Sequence, residues 1–311
     1  MKKITIFTPC YNEEGNISQL IEVVRDIFRK LPLYEYEHIF IDNCSTDNTQ
    51  AILRQIAKSD KHIKIIFNVR NFGHVRSPYY GLMQCYGDAV ITLVADFQDP
   101  PDLIPVMLKK WEEGYRLVLG VKNKSKENPI MFAIRKLFYS LLSKASGSND
   151  APLQNFTGFG LYDKKFLDIA RELDDPYPYF RGMVTDFGFD HFLLKYIQPI
   201  RREGKTKNNL FTLYDVAMLG FTNHSKLPLR LSALLGFFSA MVSFLVAFGY
   251  LIYKLIYWDS FQVGIAPLVI GVFLFSSVQL FFIGVIGEYI GAIHTQVRKR
   301  PLVIEKERIN F

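Results

Sequence analysis

The chain has few cysteines, three in 311 residues, and none of them stands in a C-x-x-C pair. An odd number without metal-ligand spacing argues against both a disulfide framework and a zinc site. We therefore predict reduced thiols in a cytosolic compartment for Cys10, Cys44 and Cys85. The amino-terminal apolar run is also too short for a signal peptide, since charge returns by Glu13.

Two further absences narrow the range of functions. No G-x-G-x-x-G pattern follows the first predicted strand, which argues against a dinucleotide-binding enzyme. No long basic run with interleaved aromatic residues is present, and the net charge of +7 is modest, so we expect no nucleic-acid partner. The six histidines show no paired ligand spacing, and only His74 stands near the site proposed below.

Charge is missing from two long stretches near the carboxyl end, residues 231–253 and 260–287. As helices they would be about 34 and 42 Å long, enough to cross a hydrocarbon core about 30 Å thick. A buried helical hairpin in a soluble protein is the alternative, but such long apolar runs are rare there. We predict transmembrane helices at 230–256 and 262–288.

Basic residues flank these helices on one side of the predicted membrane. Lys226 and Arg230 precede the first helix and residues 298–300 follow the second, whereas the connecting loop carries only Lys254. The positive-inside rule then places both termini in the cytosol. The remaining predicted segments are an α/β domain at 1–208, an amphipathic juxtamembrane segment at 209–229 and a cytosolic tail at 289–311.

The first half of the chain alternates apolar runs typical of strands with amphipathic segments of helix length. This alternation predicts an α/β domain with a mostly parallel sheet. The predicted strands are Ile4–Thr8, His38–Ile41, Ile63–Phe67, Ala89–Val94 and Leu117–Gly120. The predicted helices are Ile17–Lys30, Thr49–Lys58, Val75–Tyr86 and Leu103–Glu113. A basic helical segment at 129–148 fits either a surface helix or an interfacial helix beside the membrane.

Polar turns follow three of the predicted strands, at residues 9–14, 42–49 and 96–102. Carboxyl ends of parallel strands are where open α/β sheets bind their ligands. In the third turn Asp96 and Gln98 supply the hard oxygen ligands that Mg²⁺ or Mn²⁺ prefers, although an acidic turn without chemistry is the alternative.

A uracil base needs a stacking surface and an acceptor for its N3–H, and a ribose needs acceptors for its hydroxyls. Tyr11, Glu13 and Asp42 are the candidates for these roles. Each residue alone is more typical of an ordinary turn, and it is their common sheet edge that favours a ligand site.

Several motifs together carry a family resemblance that covers nearly the whole chain. They are P-C-Y-N-E at 9–13, D-N-C-S-T-D-N-T at 42–49, R-N-F-G at 70–73, A-D-F-Q-D-P-P-D at 95–102, F-R-G at 180–182, R-x-x-G-x-T-K at 201–207 and G-E-Y…R-K-R-P at 287–301. With these motifs the chain resembles the family 2 glycosyltransferases of the GT-A fold, and among them the polyisoprenyl-phosphate glycosyltransferases.

This resemblance implies transfer of a sugar, with inversion, from a nucleotide sugar (a UDP-hexose) to a polyprenyl phosphate at the cytosolic face of a bacterial-type inner membrane. It also implies a homo-oligomer, for instance a tetramer. Asp96 and Gln98 match part of the D-x-D-x-Q pattern that binds Mg²⁺ or Mn²⁺. The residues expected to contact the nucleotide sugar are Pro9, Tyr11, Glu13, Asp42, Arg70 and Asp96.

The acceptor class bears on which catalytic groups are needed. A lipid phosphate is already anionic near neutral pH, so it needs no general base, whereas a hydroxyl acceptor does. A basic pocket must instead hold the phosphate near the donor. Its predicted residues are Lys122, Arg135, Arg201 and Lys207. Asp186 is a further catalytic candidate, as a base or as a residue that supports one.

The chain departs from the family pattern at three places. Val94 replaces the first Asp of D-x-D-x-Q, Asn43 replaces the second Asp of an Asp-Asp pair, and T-G-F-G-L at 157–161 lacks the acid and the Arg of a G-D-F-R-L loop. These changes leave two alternatives open. One is transfer to another lipid or to a glycan hydroxyl, and the other is a non-catalytic nucleotide-sugar-binding scaffold.

Overall fold

The computed structural model describes residues 1–123, 155–173, 175, 178–199, 227–257, 265–298 and 300–311. Its strands are β1 Lys2–Cys10, β2 Tyr34–Asp42, β3 Ile63–Asn68, β4 Ala89–Thr92, β5 Leu117–Lys122, β6 Phe156–Asp163, β7 His191–Tyr196 and β8 Glu305–Ile309. Its α-helices are α1 Ile17–Arg29, α2 Thr49–Ser59, α3 Gly73–Met83, α4 Ile104–Glu112, α5 Lys164–Glu172, α6 Phe180–Asp186, α7 Leu227–Ile256 and α8 Ile265–Val297.

The described strands form one sheet in the order β7-β5-β6-β4-β1-β2-β3-β8. The central strands β4, β1, β2 and β3 run parallel, whereas β6 is antiparallel to both of its neighbours and β8 is antiparallel to β3. The mostly parallel α/β sheet predicted from the sequence is confirmed, as are all five predicted strands and four predicted helices. Strands β6, β7 and β8 are additions that the sequence pattern did not indicate.

Helices cover both faces of this sheet. On one face α1 buries Ile17, Leu20 and Val24 at the spacing of a single helical stripe. On the other face α3 approaches β1 so closely that a Cβ on Gly81 would lie 2.7 Å from the ring of Phe7. Glycine allows this close packing, and because α3 begins shortly after β3 ends, its first turn lies at the carboxyl edge of the sheet.

Strand β8 returns the chain to the α/β domain after α8. It pairs with β3 in a register that sets Ile309 opposite Ile65. Tyr80 donates a hydrogen bond to the Glu305 carboxylate at 2.7 Å, and Arg54 forms an ion pair with Glu307 at 2.7 Å. The segment predicted as a cytosolic tail therefore contains an edge strand that fastens the end of α8 to the sheet.

Helices α7 and α8 expose large apolar side chains along their length, such as Phe237 in α7 and Leu280 in α8. Within the described residues, one helical segment, Leu274–Val297, is long and apolar enough to cross a membrane, and the apolar stretch of α7 at Ser232–Val246 is shorter. The prediction of two transmembrane helices is thus matched by one candidate. The helix predicted at 129–148 and the juxtamembrane segment up to 226 lie outside the described residues.

We predict that Asn310→Asp lowers the free energy of unfolding by about 1–3 kcal/mol. The Asn310 amide donates hydrogen bonds to the carbonyl oxygens of Ala57 and Ile63, each at 2.8 Å. A carboxylate of the same shape would face these two oxygens without a proton to donate. Denaturant titration of the detergent-solubilised protein measures the change, and Lys306→Ala, at an exposed residue of β8, is the control. Equal stability of Asn310→Asp and the wild-type protein would contradict this role for the amide.

Candidate active site

The turns after β1 and β2 are joined into one unit by side-chain hydrogen bonds. Asn12, in the left-handed region at φ 58°, donates its backbone N–H to Ser45 Oγ at 2.9 Å and accepts from the Thr46 N–H at 2.8 Å. The Glu13 N–H donates to Thr49 Oγ1 at 2.8 Å. The first and second polar turns therefore form a single surface at the sheet edge, as the sequence predicted.

Asp42 is fully buried at the end of β2. Its Oδ2 accepts hydrogen bonds from the Ser45 N–H at 3.0 Å and from Gln50 Nε2 at 2.7 Å. Its Oδ1 is buried and has no hydrogen-bond partner within the described chain, and burial raises the pKa of the carboxyl. A buried acceptor without a partner is costly, and a ligand N–H or hydroxyl would satisfy it.

The Asn43 side chain makes four hydrogen bonds, three to the R-N-F-G turn and one to the end of β3. Its Oδ1 accepts from the Phe72 N–H at 2.9 Å and from Asn68 Nδ2 at 3.2 Å. Its Nδ2 donates to Asn71 Oδ1 at 3.0 Å and to the Gly73 carbonyl at 3.1 Å. An aspartate could not donate these last two bonds. The departure from the Asp-Asp pattern therefore has a structural cause.

The remaining residues predicted to contact the nucleotide lie in the turns themselves. Tyr11 and Glu13 are half-buried, and the Glu13 carboxylate accepts a hydrogen bond from Asn16 Nδ2 at 2.8 Å. Arg70 is exposed, with its guanidinium 4.1 Å from the centre of the Phe72 ring. These three side chains do not line the cavity described below, and their contact with a nucleotide stays a prediction.

The turn after β4 bends sharply at Phe97, whose φ of 60° is unusual for a bulky residue. Asp96 is buried, and its Oδ1 accepts a hydrogen bond from the Gln98 N–H at 3.1 Å. Phe97 is thus a strained residue between the two predicted metal ligands, Asp96 and Gln98. The surrounding structure must hold such a conformation, and conformations of this kind cluster at functional sites.

A cavity of about 490 Å³ opens at the carboxyl ends of β1 and β4, between α3 and α6. Its polar lining within the described chain consists of His74, Thr92, Gln98, Asp99, Lys122, Thr157, Arg181 and Gln198. Pro9, Gln98 and Lys122 thus line one cavity, and the roles predicted for them stay predictions. Asp186 is exposed at the end of α6 and does not line the cavity. Arg135, Arg201 and Lys207 lie outside the described residues, so their roles stay predictions.

Asp99 and Arg181 are lining residues that the sequence analysis did not select. Asp99 is buried, and it accepts a hydrogen bond from the Tyr196 hydroxyl at 3.1 Å. Burial raises the pKa of Asp99 to about 6, against the opposing effects of the Tyr196 hydrogen bond and the Lys122 charge. Asp99 belongs to the motif A-D-F-Q-D-P-P-D and Arg181 to the motif F-R-G. Membership in these motifs was the sequence signal that could have identified both residues.

Two of the departures from the family pattern also have a packing context. A Cβ on Gly160 would lie 2.7 Å from the Val118 carbonyl oxygen, so no larger side chain fits this position of the sheet. Gly158 has φ of +102°, a conformation that other residues rarely adopt. The missing Arg and acid of this loop are therefore consistent with the local backbone, while Val94 forms part of the apolar cavity wall.

Comparison with known proteins decides the family. Residues 5–166 match the family model described as glycosyl transferase family 2. The chain belongs to this family. It is therefore a glycosyltransferase with an α/β fold of the GT-A type, as the sequence motifs predicted, and membership favours catalysis over the scaffold alternative.

Relatives of this glycosyltransferase match it along nearly its whole length. It is 36% identical over 302 residues to the uncharacterized glycosyltransferase YkcC of Bacillus subtilis, covering 96% of this chain and 92% of the relative. It is 32% identical over 306 residues to the SfII prophage-derived bactoprenol glucosyl transferase of Shigella flexneri, covering 98% of each. Among solved structures it is similar to glucosyl-3-phosphoglycerate synthase from Mycobacterium tuberculosis, with a TM-score of 0.48 and 19% identity over 70% of this chain and 75% of that one.

We predict that Asn43→Asp, although it matches the Asp-Asp pattern, lowers the free energy of unfolding by about 1–3 kcal/mol. The new carboxylate would face two acceptors, Asn71 Oδ1 and the Gly73 carbonyl, in a buried site. Denaturant titration measures the loss. The control is Asn48→Asp, the same chemical change at an exposed residue whose side chain makes no capping hydrogen bond. An equal effect of the two substitutions would exclude the proposed role of the Asn43 amide.

Proposed function

We propose that this glycosyltransferase moves a hexose from a UDP-sugar to a polyprenyl phosphate at the cytosolic face of a membrane, with inversion at the anomeric carbon. The observation that carries the proposal is the composition of the cavity. It sets two cations, Lys122 and Arg181, at the same sheet edge as Gln98 and the turn that holds Asp96. An anionic acceptor and a diphosphate leaving group require these two kinds of site.

The nucleoside part of the donor fits the joined turns after β1 and β2. The buried Oδ1 of Asp42 offers an acceptor to a base N–H or a ribose hydroxyl, and no other group of the described chain satisfies it. Tyr11 and Glu13 lie in the neighbouring turn, as candidates for stacking and for a second acceptor. In this arrangement the diphosphate would extend toward Asp96.

The residues of the third turn fit a divalent cation that binds together with the donor. The described chain contains no group of three His, Cys, Asp or Glu side chains that could hold a metal by themselves. Mg²⁺ does not need such a group, since it is commonly held by one or two carboxylates together with substrate phosphates and water. Asp96 and Gln98 would hold Mg²⁺ or Mn²⁺ in this way. When bound, the cation neutralises charge on the leaving diphosphate.

The acceptor phosphate fits the cationic side of the cavity. Lys122, at the end of β5, and Arg181, in the first turn of α6, line it together with His74. These charges offset the repulsion between an incoming phosphate and the donor diphosphate, and they orient the attacking oxygen. A phosphate oxygen has no proton to lose, so this reaction needs positioning and charge rather than a base. Arg135, Arg201 and Lys207 are further candidates for the same pocket.

Attachment to a membrane brings the protein to its lipid substrate. The segment Leu274–Val297 has the length and composition of a membrane span, and basic residues directly after it favour a cytosolic side for the catalytic domain. Relatives named bactoprenol glucosyl transferase match the chain through this region, which supports a polyprenyl acceptor. We extend the proposal to a second span in α7 and to a homo-oligomer, with a tetramer as one arrangement.

We predict that Asp96→Asn lowers the rate of transfer from UDP-glucose to undecaprenyl phosphate by about a hundredfold or more, because it removes the carboxylate that holds the cation on the diphosphate. The measurement follows radiolabelled sugar into the lipid fraction. Asparagine keeps the oxygen that accepts from the Gln98 N–H, so the turn is expected to remain folded. The control is Asp102→Asn, which removes an exposed charge from the same motif. A transfer rate of Asp96→Asn equal to that of the wild type would contradict the assignment of Asp96 as a metal ligand.

A hydroxyl acceptor, on another lipid or on a glycan, is the second candidate function. The observation that favours it is Asp99, a buried carboxyl in the cavity wall whose pKa is raised by burial to about 6. A carboxylate with a pKa near the working pH is a suitable general base for deprotonating a hydroxyl.

We predict that Asp99→Asn keeps transfer to undecaprenyl phosphate within about tenfold of wild type, because a phosphate nucleophile needs no base. If the true acceptor is a hydroxyl, loss of the base should cost about 10²–10⁴ in rate. Initial rates with each acceptor distinguish these outcomes. Asp186→Asn is the matched variant, since its exposed carboxylate does not line the cavity. A loss with Asp186→Asn that exceeds the loss with Asp99→Asn would restore Asp186 as the catalytic candidate.

A further inference from the structure

Three arginines meet where the catalytic domain adjoins the end of α8. Arg70 lies in the turn before α3, Arg76 lies on α3, and Arg300 follows α8 in the linker to β8. Arg76 donates a hydrogen bond to the Pro301 carbonyl at 2.6 Å, which holds the linker against α3. Burial lowers the pKa of Arg76, and the charges of Arg70 and Arg300 lower it further. The charges of Arg70 and Arg300 thus both act on the Arg76 guanidinium.

No carboxylate of the described chain forms an ion pair with any of these three arginines. Other arginines in the same region have such partners, as Arg54 has Glu307 and Arg308 has Glu305. In addition, Nε of Arg76 is buried and has no hydrogen-bond partner. Unpaired cations and an unsatisfied buried donor are both costly, and one anion would relieve both.

A cavity of about 540 Å³ lies beside this cluster, between α3, α5 and the linker. Of the three arginines, Arg300 lines it. The other polar lining includes Arg171, which is paired with Asp168, the carboxylate of Asp175, and Tyr80 and Tyr86, whereas Met83 and Leu302 form an apolar wall. The Arg300 guanidinium beside this apolar wall suits an amphipathic molecule with an anionic head. This cavity is distinct from the one at the carboxyl ends of β1 and β4, which Arg300 does not line. Arg76 lines neither cavity and reaches the linker through its hydrogen bond to the Pro301 carbonyl.

We propose that Arg76 and Arg300, with added charge from Arg70, bind the phosphate of an anionic membrane phospholipid. Guanidinium groups bind phosphate through paired, charge-assisted hydrogen bonds, which fits a phosphodiester head group. Arg300 stands three residues beyond Val297, where the apolar segment ends, and such a stretch of chain spans at most about 10 Å. This distance keeps the arginine near the head-group layer. The inference rests on the membrane attachment in the proposed function.

The test is calorimetric titration of the full-length protein in a neutral detergent with dioctanoyl phosphatidylglycerol. Dioctanoyl phosphatidylcholine and inorganic phosphate serve as separate probes. We expect Arg300→Gln and Arg76→Gln each to weaken phosphatidylglycerol binding about fivefold or more, because each removes one cation from the phosphate. The matched control is Arg298→Gln, which removes an exposed charge from the end of α8 and should leave the affinity nearly unchanged. Arg70 is left intact because the sequence predicts a nucleotide contact for it.

Three outcomes would overturn the inference. Equal losses with Arg298→Gln and Arg300→Gln would show general surface charge instead of a site. Inorganic phosphate binding as tightly as phosphatidylglycerol would assign the site to a free anion. Unchanged affinity in Arg300→Gln and Arg76→Gln would exclude both residues. Transfer to undecaprenyl phosphate, measured on the same preparations, separates this inference from the proposed function, because loss of transfer with intact phosphatidylglycerol binding affects only the latter.

Discussion

The side-chain amide of Asn43 determines how the carboxyl edge of the sheet is built. It donates two hydrogen bonds and accepts two, and all four join β2 and the end of β3 to the turn that starts α3. The position of α3 then sets one wall of the catalytic cavity, through His74 and Pro78. A buried amide with all of its bonds made is rigid, so a single residue transmits order from the sheet to the site.

The sequence predicted those strands and helices whose signals lie within a short stretch of the chain. Buried parallel strands appear as continuous apolar runs, and their polar ends can be seen without knowing what they pair with. Strand β8 carries no such signal, since E-K-E-R-I is mostly charged and its partner β3 lies far away in sequence. Asp99 is a similar case, because its burial depends on Tyr196 in a strand that the pattern did not indicate. Non-local packing was therefore the missing information.

Buried carboxyl groups and cations lie along one edge of the sheet. Asp42 is buried at the proposed donor site, whereas Asp99 lines the same cavity as the cations Lys122 and Arg181, at the proposed acceptor site. Burial raises the pKa of both Asp42 and Asp99, so each carboxyl group is held at a cost that a bound ligand can reduce. Donor binding and acceptor binding would then each complete a part of the site that the protein leaves unbalanced.

Strand β8 also restrains the α/β domain relative to the end of α8. The linker before it is held by the Val69 N–H, which donates to the Ile304 carbonyl at 3.1 Å, and by the buried side chain of Val303. This pairing holds the α/β domain to the end of α8 more firmly than a flexible tether would. A lipid acceptor confined to a bilayer meets the enzyme in two dimensions, and a domain restrained in this way would present its cavity to that plane in one orientation. Lateral diffusion alone would then deliver the substrate to the enzyme.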